Sequence, residues 1–294
     1  MITRIPSDVQ EGVIELLALG SQSSIQKFSF IAGGCINSGG KLTTSKGNFF
    51  LKWNDVHTFP HMFEAESRGL SLLSRQNAIR IPQVIGFGKK DVHQFLVLEY
   101  INQEQRSSMY WEQLGIRLSQ LHNATDTAFG LDHDNYIGSL RQYNTQHSSW
   151  VNFFIEQRLI VQLKLAFDSG SGIPRWTKQF DSLSKKLPSL LPEDKPSLLH
   201  GDLWSGNLII DDRGEPCLID PAVYFGNREA DLAMTKLFGG FSDEFYQVYE
   251  QHSKLQQGYQ QRLELYNLYP LLVHVNLFGG SYVSSVDAIL NRFA

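Results

Sequence analysis

The stretch that most constrains this chain is His200-Gly201-Asp202-Leu203-Trp204-Ser205-Gly206-Asn207, followed by Leu208-Ile209-Ile210, a polar turn at Asp212-Arg213-Gly214, the apolar Cys217-Leu218-Ile219, and Asp220-Pro221. Two short apolar runs around a turn read as a β-hairpin. Such a hairpin folds Asn207, just before it, and Asp220, just after it, back towards one point. A side-chain amide and a carboxylate so placed offer oxygen ligands to Mg²⁺, a hard cation. Phosphoryl transfer needs little covalent help; it needs an aligned nucleophile and neutralised phosphate charge. Asp202 is then the candidate catalytic base, and Asn207 and Asp220 the candidate metal ligands. Asp, Gly and Asn usually serve only turns. Here the compound order of His-Gly-Asp, an Asn five residues after that Asp, an apolar hairpin and Asp-Pro points past the turn to the chemistry.

The rest of the chain predicts what frames that loop. Ser7 and Gln10 make a capping-box pattern ahead of an apolar stripe at Val9, Val13, Leu16 and Leu17, with Gly20 as its stop. Strand-like runs follow at Lys27–Ala32, Gly40–Thr44 and Asn48–Trp53, then a helix over roughly His61–Arg75. Two more strands flank the Lys89-Lys90-Asp91 turn, the second over Gln94–Tyr100. Beyond Asn102 helical periods dominate: Met109–Asn123, Trp150–Ser169, Trp176–Lys186, Ala230–Phe238, Asp243–Gln256 and, with breaks, Gln261–Asn291. This predicts an α+β chain of two lobes, an antiparallel-sheet N-terminal lobe over residues 1–100 and a mainly helical C-terminal lobe over 101–294. A cleft between two such lobes is a natural ligand site.

Composition excludes other classes. The 294 residues carry a formal charge of −4 with no basic run, which argues against nucleic acid or an anionic membrane as partner. Two cysteines far apart, Cys35 and Cys217, indicate no disulfide framework and fit a reducing compartment. The first ten residues lack the apolar run of a signal peptide, and Leu268–Gly280 is too short to span a bilayer and carries His274 and Asn276. The expectation is a cytoplasmic protein.

The His200–Pro221 segment resembles the catalytic and metal-binding loops of the protein-kinase-like fold in its aminoglycoside phosphotransferase branch. The nearer likeness is to the ketosamine (fructosamine/ribulosamine) 3-kinase family. It is carried by Gly33-Gly34-Cys35-Ile36, Asn135-Tyr136-Ile137-Gly138, Leu203-Trp204, Asn227-Arg228-Glu229-Ala230-Asp231-Leu232-Ala233-Met234 and Leu277-Phe278-Gly279-Gly280-Ser281-Tyr282, and runs from about residue 25 to the end. Many aminoglycoside-type kinases carry His where Trp204 stands, so the tryptophan discriminates. The resemblance implies ATP as phosphoryl donor and gives Lys52 contacts to the α- and β-phosphates. It also implies adenine bonding by the backbone of Glu99 and Ile101, and structural support by His200, Arg228 and Asp231, with Asp231 bracing the catalytic loop.

Lysine in this fold pairs with a helix glutamate, and helical spacing chooses between Glu64 and Glu66. Met62, Glu66, Leu70 and Leu73 share one stripe, whereas Glu64 sits four residues before Arg68, a surface-pair spacing. Glu66 is therefore the expected partner. Gly33, Gly34 and Cys35 form the candidate phosphate loop, since glycine lets backbone N–H groups approach phosphate closely. The loop matches neither a P-loop nor the Gly-x-Gly-x-x-Gly of protein kinases.

The acceptor is less constrained. An aminoglycoside pocket should be rich in carboxylates, yet from Tyr266 onward the only acidic residue is Asp287. Tyr266, Tyr269, Asn276, Phe278 and Tyr282 suit a sugar ring or, equally, a core. Trp204, two residues from the base, is placed to stack on the acceptor. The resemblance implies a ketosamine acceptor, free or on a protein lysine, phosphorylated at O3; the product is unstable and releases its amine, a deglycation. Competing readings are a kinase of another small alcohol (an aminoglycoside, choline, homoserine or a thiosugar) and a non-catalytic nucleotide-binding pseudokinase. The second predicts loss of Lys52, Asp202, Asn207 or Asp220, and all four are present. Cys35, in a glycine-rich loop, is a candidate for a reversible intermolecular disulfide, so a monomer or a redox-linked dimer is expected.

Overall fold

The computed structural model describes residues 5–20, 24–31 and 37–294. They form two compact units, one of residues 1–110 with 208–220 and the other of 111–207 with 221–294.

The first unit starts with α1 (Ser7–Leu16). Its cap is Pro6, with no side-chain cap bond, so the expected Ser7–Gln10 box does not form. Proline's fixed φ starts the helix one residue early, and the Gln10 amide instead donates to the Ile5 carbonyl at 2.6 Å. The helix also ends before Gly20: Ala18 takes the left-handed conformation, φ 47°, that the glycine was expected to supply. Then come β1 (Ile25–Phe30), β2 (Ser38–Thr44), β3 (Gly47–Asp55), α2 (Met62–Ser74), β4 (Val84–Lys90) and β5 (His93–Glu99). The strands make one antiparallel sheet in the order β1-β2-β3-β5-β4.

Side chains alternate across a strand, and this sorts the two faces. Leu51 and Trp53 of β3, with Phe95 and Val97 of β5, join Val9 and Val13 of α1 in one buried core. Lys52, paired in register with Leu96, therefore points to the opposite face, where α2 meets it. The unit closes with the later hairpin of β9 (Leu208–Ile210) and β10 (Pro216–Leu218).

The second unit begins within α3 (Tyr110–Leu121) and continues through the hairpin β6 (Asn135–Ile137) and β7 (Leu140–Gln142), then α4 (Trp150–Phe153), a π-helical segment (Phe154–Leu159) and α5 (Ile160–Asp168). After α6 (Trp176–Leu190), β8 (Ser197–Leu199) pairs with β11 (Tyr224–Gly226), and α7 (Glu229–Leu237), α8 (Asp243–His252), α9 (Tyr259–Phe278) and α10 (Tyr282–Phe293) follow. One large apolar core runs through it, with Trp150, Phe153, Trp176, Leu183, Leu272 and Val286 all at most 3% exposed. Arg262 clamps α9 to α7 through a two-pronged pair with Glu229, at 2.6 and 2.8 Å. Among the described residues no helix is long and apolar enough to cross a membrane.

Candidate active site

Lys52, Glu66, Glu99, Ile101 and Asp220 belong to the first unit; His200, Asp202, Trp204, Asn207, Arg228, Asp231 and Tyr282 belong to the second. Gly33, Gly34 and Cys35 lie outside the described residues.

In the first unit, β3 carries Lys52 into the interior, where its ammonium donates to Glu66 Oε1 at 2.7 Å and to Asp220 Oδ1 at 2.5 Å. Glu64 faces outward and accepts from Arg68 at 2.7 Å. Burial would drive Lys52 towards neutrality, but the two carboxylates overcome it and hold the ammonium well above the usual lysine range. Burial, with the Asp220 charge adding to it and the ammonium opposing, pushes the Glu66 carboxyl up. Asp220 has φ 54°, a left-handed backbone that a non-glycine residue adopts only under constraint.

That constraint comes partly from the hairpin. Leu208 pairs with Leu218, so the chain's entry to and exit from β9–β10 lie opposite each other. Asp211 shapes the turn by accepting the N–H groups of Arg213 and Glu215 at 2.8 and 2.9 Å. Burial would raise the Asp211 carboxyl; those donors and Arg80 hold it below the usual range. Arg80 bonds Asp211 at 2.8 Å, Asp212, and Glu99 at 2.9 Å, tying the hairpin to the end of β5. The Glu99 N–H goes to the Gln83 carbonyl at 2.8 Å, and Ile101 is buried. Cys217 is buried within the hairpin, and that burial pushes its thiol up to about 12, which leaves it unreactive.

In the second unit, the loop that starts at His200 hangs from Asp231. Its carboxylate accepts the N–H groups of His200 and Gly201 at 2.8 and 2.9 Å, and His122 faces the same carboxylate at 3.2 Å. His200 is fully buried and its Nδ1 accepts the Asp202 N–H at 3.3 Å. Arg228 sits elsewhere, on Ser253, the Lys254 carbonyl and Asp194, so its support is to the start of α7. The Asn207 amide donates to the Asp202 carbonyl and carboxylate, both at 2.9 Å. An amide that donates through Nδ2 is left with Oδ1 as the atom a hard cation can take.

Gly201 has φ +81°, and a Cβ there would lie 2.0 Å from the Ala222 carbonyl oxygen. Gly201→Ala should therefore cost about 2–5 kcal/mol, from left-handed strain plus overlap. Urea titration reads this, and a wild-type midpoint would show that the loop tolerates a side chain.

Trp204 and Tyr282, far apart in sequence, are joined by a series of rings. Trp204 meets Phe238 edge-on at 6.0 Å, Phe238 meets His274 at 4.8 Å, and His274 meets Tyr282 at 4.9 Å. Burial holds His274 below the usual histidine range, so the wall is uncharged near neutral pH. Phe278 flanks it, 54% exposed. Tyr266 and Tyr269 do not join this wall: both are buried in the core, and the Tyr269 hydroxyl donates to Gln142 at 2.6 Å. Tyr266 and Tyr269 are one turn apart on α9 and share its buried face, whereas Phe278 lies about half a turn round from Tyr269. His122, Arg80, Phe238 and His274 were not singled out from sequence; each is an isolated residue without a spacing signal.

A sheet with a buried Lys–Glu–Asp group, and a loop that locks Asp to Asn beneath a bracing Asp, define a phosphotransferase of the kinase-like fold. Residues 11–294 match the fructosamine kinase family, and the chain belongs to that family. It is 41% identical over 274 residues to the probable ketoamine kinase of Synechocystis sp., covering 93% of this chain and 92% of that one. It is 38% identical to the chloroplastic protein-ribulosamine 3-kinase of Arabidopsis thaliana, with 95% and 86% covered. A crystal structure of a candidate fructosamine-3-kinase from Haemophilus somnus 129PT matches with a TM-score of 0.87 at 30% identity, covering 97% and 96%. An aminoglycoside phosphotransferase in ternary complex with AMP-PNP and hygromycin B shares the fold, at a TM-score of 0.65 and 16% identity over 98% and 99% of the two chains.

Proposed function

We propose that this chain transfers the γ-phosphoryl group of ATP to the 3-hydroxyl of a ketosamine, a ribulosamine or fructosamine that is free or borne on a protein lysine. The observation that carries the reading is the locked Asp202–Asn207 pair on a loop braced by Asp231, taken with relatives that bear ketoamine and ribulosamine kinase names.

Asp202 accepts the proton of the acceptor hydroxyl as its oxygen bonds to phosphorus. Lys52, held charged by Glu66 and Asp220, binds the α- and β-phosphates. Glu99 brings its main-chain carbonyl, and Ile101 its N–H, to adenine. Gly33, Gly34 and Cys35 cradle phosphate with backbone N–H groups. Among the described residues no cluster of three or more His, Cys, Asp or Glu side chains is built for a metal. The amide and carboxylate oxygens of Asn207 and Asp220 suit Mg²⁺, which prefers few protein ligands plus substrate phosphates. When bound, that ion neutralises the charge developing on the phosphoryl oxygens. Trp204 and Tyr282, at the two ends of the ring wall, stack on the sugar without adding charge.

The test is ATP consumption by purified protein with Mg²⁺, using ribulosamine-lysine and fructosamine-lysine, with kanamycin and choline as controls. Turnover on the ketosamines alone is expected. Turnover only on a control would replace the acceptor.

A further inference from the structure

The motif Asn135-Tyr136-Ile137-Gly138 has no part in the chemistry above, yet its first residue stands at the centre of a buried polar network. Asn135, Gln142, Asn144 and Arg158 are all at most 5% exposed. Arg158 lies in the π-helical segment, a rare geometry that is frequent at functional sites. Its guanidinium is fully buried; it is met by the carbonyls of Tyr143 at 2.5 Å, Gln157 at 3.1 Å and Asn144 Oδ1 at 2.7 Å, and it lies over the rings of Tyr224 and Phe153 at 4.1 and 4.5 Å.

Two relays of aligned hydrogen bonds run through this network. In one, Arg158 donates to Asn144, Asn144 donates to Asn135 at 3.0 Å, and Asn135 donates to the Val223 carbonyl at 2.8 Å. In the other, Tyr269 donates to Gln142 at 2.6 Å, and Gln142 donates to the Ala222 carbonyl at 3.0 Å and to Asn135 at 2.7 Å. Head-to-tail bonds in a dry interior polarise one another. The relays end on consecutive carbonyls, two and three residues after Asp220. The same short segment also holds the catalytic loop: the Ala222 N–H donates to the His200 carbonyl at 2.9 Å, and Gly201 packs against the Ala222 oxygen.

We propose that Asn135 and Gln142 are positioning residues for phosphoryl transfer, whose paired amides fix the backbone of Ala222 and Val223 and thereby the loop from His200 to Asn207, which Ala222 holds through the His200 carbonyl. The proposal rests on the reading of Asn207, at the end of that loop, as a Mg²⁺ ligand. The partners that orient metal ligands commonly weigh 10–100-fold in metal affinity or activity. A core-filling role alone would cost stability and leave the metal requirement unmoved.

The experiment measures AMP-PNP affinity by calorimetry across a Mg²⁺ series, alongside melting temperature. Asn135→Ala should raise the Mg²⁺ concentration for half-maximal affinity by about tenfold. Leu183→Ala, at a fully buried core site, should lower the melting temperature and leave that concentration unchanged. Tyr269→Phe removes one hydroxyl and keeps the ring, so it reports even if Asn135→Ala fails to fold; a smaller rise in the same direction is expected. Wild-type Mg²⁺ dependence in Tyr269→Phe and in any folded Asn135→Ala overturns the proposal. Asn207→Ala separates the two levels. If it removes Mg²⁺ dependence while the network variants leave it unmoved, only the positioning role falls. If it changes nothing, the metal reading of Asn207 falls with it.

Discussion

Asp202→Asn should lower kcat for phosphoryl transfer by about 10²–10⁴-fold, the usual weight of a positioned general base, while Mg²⁺-dependent ATP binding stays near wild type. The separation is expected because the substitution changes almost nothing but basicity. Asn has the shape of Asp, its oxygen can still accept from the Asn207 amide, and its backbone N–H still reaches His200. The bracing of His200 and Gly201 by Asp231 passes through main-chain N–H groups and survives. Single-turnover assays with ribulosamine-lysine and equilibrium binding of AMP-PNP measure the two halves. Retained turnover would remove Asp202 from the role of base; lost nucleotide binding would mean that its charge, rather than its basicity, matters.

Lys52→Met should cost about 3 kcal/mol of stability and abolish measurable transfer. Removing one partner of a buried ion pair typically costs about 3–5 kcal/mol, because the remaining charge is left uncompensated. The lower end applies here, since the Asp220 side chain is 41% exposed and water screens part of its charge. The pH dependence has a definite sign. The folded-state pKa of Lys52 lies above its ordinary 10.5, so the stability it confers is fully present below pH 10.5 and is lost as pH rises beyond that. On the acid side, Glu66 in the variant keeps the burial and the Asp220 charge that raise its pKa and loses the ammonium that opposed them. Its protonation on acidification relieves the repulsion, so the gap between variant and wild type should narrow below neutral pH. Urea titrations across the pH range test this, and a gap that widens on acidification would contradict the electrostatic account.

What the sequence disclosed follows from the range of the interactions involved. The helix stripe separated Glu66 from Glu64, and the structure sets the first on Lys52 and the second on Arg68. The five sheet strands and most helices announce themselves through local periodicity. The three-residue strands β6, β7, β8 and β11 are too short to show alternation and exist because of partners elsewhere in the chain. The helix foreseen as one piece over Trp150–Ser169 contains a π-helical turn that carries the buried Arg158, and no local periodicity announces it. Tyr266 and Tyr269 have the composition of a sugar pocket, and only burial distinguishes them from Tyr282. Asp231 could be placed through resemblance alone, because its partners lie 30 and 31 residues away.

The membership of Leu208–Asp220 in the first unit bears on how the protein is made. Arg80 waits for Asp211, which is 131 residues further along the chain. At the usual 5–20 residues per second of synthesis, the guanidinium is without that partner for about 7–26 s. Lys52 and Glu66 wait longer for Asp220, 168 residues beyond the lysine. The N-terminal sheet can pair while the ribosome is still working, but its charged centre cannot be complete until all of the second unit's first segment, 111–207, has also been translated. Slowing translation between codons 100 and 208 should therefore prolong an intermediate whose first unit is unfinished, open to chaperones and proteases, whereas slowing it once Asp220 has emerged from the ribosome should not.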